Sequence, residues 1–105
     1  MTSVLSLTFH CPEHRLKEWE NYVRESLTVL ADNLMDPDQY YLSEVYTDMI
    51  NEGKNYNLLL IFGNETLRTD FLESELMNIE ERIAAKFGAD VMIFQTLLNP
   101  VKIRI

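Results

Sequence analysis

The chain is poor in the residues that cross-link or punctuate a fold: one cysteine, three glycines and three prolines in 105 residues. A single thiol, Cys11, cannot form a disulfide within the chain, which points to a reducing compartment. Gly53, Gly63 and Gly88 each fall at an expected turn or helix cap, leaving no glycine-rich phosphate loop. No apolar run approaches the ~18 residues of a membrane span. Met1-Thr2-Ser3-Val4-Leu5 also lacks the basic start of a secretory signal. Cationic residues are scarce: nine Lys and Arg face seventeen Asp and Glu, for a net charge of -8. Such a surface repels phosphate backbones and anionic lipid heads, so neither nucleic acid nor membrane is an expected partner. The expected location is cytoplasmic.

What is present is ordinary for a globular protein, 47% hydrophobic and 25% charged. The length suits one domain over residues 1–105. Ser3 to His10 alternates, with Leu5, Leu7 and Phe9 on one face and Val4, Ser6, Thr8 and His10 on the other, the period of a strand. Cys11 is expected as N-cap and Pro12 as first residue of a helix carrying Leu16, Trp19, Val23, Leu27, Leu30 and Leu34 on one stripe. Asp36-Pro37 ends it. Tyr40 to Thr47 is aromatic and β-branched, Asn51 to Lys54 supplies turn residues, and Tyr56 to Phe62 is almost continuously apolar. Together these predict a hairpin. Asn64 then caps a second helix of about six turns, with Leu67, Phe71, Leu72, Leu76, Ile79, Ile83 and Phe87 inward and Gly88 as its stop.

The last expected strand, residues 91–98, is apolar on both faces. Val91, Ile93 and Leu97 share one, Met92, Phe94 and Leu98 the other. Beyond Asn99-Pro100 the tail to 105 alternates and could add a short strand. The order strand, helix, strand, strand, helix, strand predicts an α+β ferredoxin-like βαββαβ sandwich, two helices on one face of a four-stranded antiparallel sheet. Its other face would hold Leu42, Leu59, Ile61 and one parity of 91–98, more apolar surface than a monomer normally exposes. A homodimer of the dimeric α/β-barrel kind is therefore expected. Its interface is placed at Leu59, Ile61, Ile93 and Leu97, with the opposite parity of the last strand as the alternative.

Lys86-Phe87-Gly88 followed by Phe94-Gln95-Thr96-Leu97-Leu98, together with Trp19 early in the first helix, resembles the DUF4286 family of small bacterial proteins of unknown function. The likeness runs from about residue 4 to 98 and implies a dimeric ferredoxin-like fold without implying an activity.

The candidate chemistry is sparse. His10, Cys11 and His14 cluster where the first strand meets the first helix, but lack the second Cys/His pair of a zinc motif, so no metal or other cofactor is expected. Ser6, Thr8 and His10, with Glu44 or Tyr46 and Gln95, could line a polar-tipped pocket between two paired sheets. Two readings follow. One is a self-associating domain that binds a small molecule or a protein partner. The other is a cofactor-independent enzyme, monooxygenase- or isomerase-like, with His10 as general acid or base.

Overall fold

The computed structural model describes residues 1–46 and 52–104. Strand β1 (Ser3–Cys11) is followed by a 3-10 turn (Glu13–Arg15), helix α1 (Leu16–Tyr22), a π-helical segment (Val23–Leu27) and α2 (Thr28–Asp32). Strands β2 (Gln39–Glu44) and β3 (Lys54–Phe62) come next, then α3 (Glu65–Glu73), α4 (Glu75–Phe87) and β4 (Met92–Leu98). The strands form one antiparallel sheet in the order β2-β3-β1-β4, with all helices on one side. The first and third strands are central, as the split βαβ arrangement requires.

Alternation decides which side of each strand is covered. Leu5, Leu7, Phe9 and Cys11 of β1 and Tyr56, Leu58, Leu60 and Phe62 of β3 are buried beneath the helices. Trp19 lies at the centre of an aromatic cluster, with ring centroids 5.6 Å from Phe9, 5.7 Å from Tyr22 and 5.4 Å from Phe87. Its indole N–H has no hydrogen-bond partner among the described residues. At the far end, buried Arg68 donates through Nη1 to the carbonyls of Val4 and Leu98, both at 3.0 Å. That bond ties α3 to the β1–β4 seam.

Several local expectations need correction. Cys11 is not a helix cap: β1 runs through it, and its side chain is fully buried. Pro12 is extended rather than helical and precedes the 3-10 turn. The first helix is interrupted by its π segment. Buried Trp19, Val23, Leu27 and Ala31 recur every four residues, a spacing that drifts by about 40° per step on an α-helix. The wider π turn absorbs part of that drift. The second helix breaks at Ser74, whose backbone leaves the helical region at φ -132° and ψ -76°. Asn64 does cap α3, accepting from the Leu67 N–H at 2.9 Å.

Leu42 is turned towards the helices, not the open face, because it pairs with Leu58. Residues 101–103 and Arg104 form no strand. The strand end at Thr47, the turn residue Asn51 and the last tail residue Ile105 lie outside the described residues. Gly53 is required where it stands: φ is +80°, and a Cβ would meet the Cys11 carbonyl oxygen at 2.1 Å.

The molecule is thin. Its extents are 41 × 30 × 20 Å and its radius of gyration is 14.0 Å, against about 13 Å for a compact chain of this length. It exposes 6,918 Å², whereas a folded monomer of 12.3 kDa is expected to expose roughly 6,100 Å².

Candidate functional site

The uncovered face of the sheet follows from the pairing register, since residues paired across strands share a face. One row carries Gln39, Ile61, Val4 and Leu98, and the next Tyr41, Leu59, Ser6 and Thr96. A third holds Ser43, Asn57, Thr8 and Phe94, and the last Asn55, His10 and Met92. None of these residues is Asp, Glu, Lys or Arg. In a chain that is one-quarter charged and carries a net -8, a charge-free face of this size departs from an ordinary solvated surface.

The middle of the face is a hydrogen-bonded polar strip. Asn57 donates through Nδ2 to Ser6 Oγ at 2.8 Å and to Thr8 Oγ1 at 3.3 Å. His10 Nδ1 lies 2.7 Å from Asn55 Oδ1. Apolar side chains flank the strip, with Tyr41 64% exposed and Phe94 52% exposed. Within the strip these side chains bond to one another, which lowers the cost of dehydrating it.

The structure brings together only part of the expected pocket. Ser6, Thr8 and His10 share the open face. Glu44 does not: it pairs with Tyr56 on the helix side and holds Lys54 at 2.7 Å. Gln95 is opposite Leu7 and also points to the helix side. Tyr46 lies past the end of β2, exposed. Of the expected interface residues, Leu59 and Ile61 lie on the open face. Ile93 and Leu97 pair with Phe9 and Leu5 and lie on the other, so Met92, Phe94 and Leu98 take their place. Asn55 and Asn57 were not singled out from the sequence. Their signal was available, as polar residues alternating into an apolar central strand.

His10 and Cys11 are consecutive strand residues and point to opposite faces. His14 is on the surface, 3.8 Å from Asp90. Among the described residues no group of three or more His, Cys, Asp or Glu is arranged to hold a metal ion. Burial pushes the Cys11 thiol up to about 11, the opposite of an activated nucleophile.

A charged network sits on the helix side instead. Glu20 Oε2 accepts from the Tyr56 hydroxyl at 2.7 Å and from Lys54 Nζ at 3.1 Å. The hydroxyl and the ammonium hold the Glu20 carboxyl below its ordinary 4.5. Burial, then the Glu20 hydrogen bond, pushes Tyr56 up to about 12. A lowered folded-state pKa contributes stability above the unfolded value and loses it as pH falls through the folded one. The melting temperatures of the native protein and Glu20→Gln should therefore differ at pH 7 and converge as pH is lowered from 4.5 towards 3. A constant gap over that range would show that the carboxylate is unlinked to folding.

Residues 2–101 match the family described as a domain of unknown function, DUF4286. The chain belongs to the DUF4286 family. No curated protein matches the sequence. Solved structures share the fold at low identity. A candidate antibiotic biosynthesis monooxygenase from Bacillus cereus superposes with TM-score 0.63 at 8% identity, covering 100% of this chain and 96% of that one. A dabb family protein with a ferredoxin-like fold from Mesorhizobium loti gives 0.64 at 7%, covering 97% and 100%. A dimeric ferredoxin-like protein from an uncultured marine organism gives 0.60 at 6%, covering 98% of each chain. At such identities the likeness shows the ferredoxin-like fold of this DUF4286 chain and nothing of its chemistry. No helix among the described residues is long and apolar enough to cross a membrane.

Proposed function

We propose that this DUF4286 protein is a self-associating, non-catalytic domain in which two copies pack their open sheet faces together. The charge-free face carries the reading. Two chains of -8 repel each other, and only a surface free of Asp and Glu lets them meet closely. The exposed area supports it too: the chain shows several hundred Å² more than a compact monomer, comparable to the ~800 Å² that one partner buries in a standard interface. The kinship with a protein described as a dimeric ferredoxin-like protein is consistent with such pairing. The enzyme reading lacks equivalent support. His10 meets an asparagine rather than a carboxylate, and Glu44 and Gln95 are on the far side of the sheet.

Cross-linking tests the geometry. Thr8 sits near the middle of the face, and facing sheets pack about 10 Å apart. Thr8→Cys should be joined to a second copy by a flexible bis-maleimide, whereas Glu80→Cys on the outer side of α4 should not. Equal yields from the two variants would contradict face-to-face pairing.

A further inference from the structure

One groove lies within a single protomer at the end of that face, and shares Val4, Tyr41 and Ile61 with it. After β4 the chain turns at Pro100, and Ile103 and Arg104 come to rest near the end of the open face, enclosing a groove of about 480 Å³. Its walls include Val4 and Ile61 of the sheet, the Tyr41 ring and Ile103 of the tail. Asp38 and Arg104 border the same groove. Neither has an ion-pair partner among the described residues. Gly63 also borders it, and a Cβ there would crowd Asp38 Oδ2 at 3.2 Å. The volume falls within the range of small-molecule sites.

An apolar trough bordered by one unpaired carboxylate and one unpaired guanidinium is complementary to a molecule with one charge of each sign and an apolar body. A purely cationic ligand would face Arg104, and a purely anionic one Asp38. A zwitterion pairs with both. The geometry points to a binding site for a free apolar amino acid, its ammonium on Asp38, its carboxylate on the Arg104 guanidinium and its side chain against Val4, Ile61 and Tyr41. The guanidinium fork suits a carboxylate, and the aromatic wall suits an apolar side chain.

The test is titration calorimetry with L-phenylalanine and L-leucine at up to millimolar concentration. It is run on the native protein and on Phe94→Asp, which lies outside the groove. Saturable binding is expected, weakened about tenfold or more by Asp38→Asn and likewise by Arg104→Gln. Phenylalaninamide and N-acetylphenylalanine, each lacking one of the two charges, should bind more weakly by a similar factor. Absence of saturable binding by any apolar amino acid overturns the assignment, as does affinity unchanged in both groove variants. Circular dichroism checks that the variants fold. Running both backgrounds separates the two ideas: binding to a monomeric Phe94→Asp protein supports the groove whether or not copies pair, and a folded Phe94→Asp monomer that binds nothing removes the groove alone.

Discussion

Phe94→Asp is expected to give a folded monomer, and its neighbour Ile93→Asp an unstable protomer. The two side chains leave β4 in opposite directions. Phe94 lies opposite Thr8 on the charge-free face, half exposed in the single chain. Ile93 lies opposite Phe9 and packs against the core beneath the helices. A carboxylate at 94 stays hydrated in the monomer but is trapped without a partner once a second copy covers it. Each dimer carries the change twice, so at about 2 kcal/mol per site the pairing constant should fall roughly a thousandfold. A carboxylate at 93 charges a half-buried core position and should cost about 2–4 kcal/mol of protomer stability. Size exclusion and urea unfolding together separate the outcomes. Two variants that both remain dimeric with unchanged midpoints would contradict the face assignment of β4.

Trp19→Ala should be the most damaging single truncation in the helix-side core. The indole is 0% exposed and touches Phe9, Tyr22, Tyr56 and Phe87. Deleting it leaves a cavity worth about 3–5 kcal/mol, a large share of the 5–15 kcal/mol that typically holds a domain of this size together. Trp19→Phe keeps a ring in place and removes a buried N–H that has no partner, so its cost should be well under half as large. Urea midpoints for the three proteins check this. Equal losses for the alanine and phenylalanine variants would mean that the indole N–H is satisfied.

Much of this was legible in the chain itself, for identifiable reasons. Strand β1 alternates without interruption from Leu5 to Phe9, and β3 is almost continuously apolar, so element types and order followed from periodicity. The ferredoxin-like arrangement then followed from connection rules. What periodicity could not supply was register. Ile93 and Phe94 are equally apolar, and only pairing with β1 decides which one faces the helices. The same ambiguity put Leu42 on the wrong face. Glu44 and Gln95 were grouped with His10 by polarity, whereas each has the opposite parity once β2 and β4 are aligned to their neighbours. The break at Ser74 and the π segment after Tyr22 are responses to packing over the sheet, and residue propensities hardly register them. Arg68 gave no signal either, because a buried arginine bound to two carbonyls looks in sequence like any helix-surface cation.

The central claim is that a second copy closes the charge-free sheet face, and mass in solution tests it most directly. Light scattering behind size exclusion, over a wide range of loading concentrations at moderate salt, should give twice 12.3 kDa. Phe94→Asp should give the single-chain mass under the same conditions. A native protein that stays at 12.3 kDa at every concentration would contradict the account.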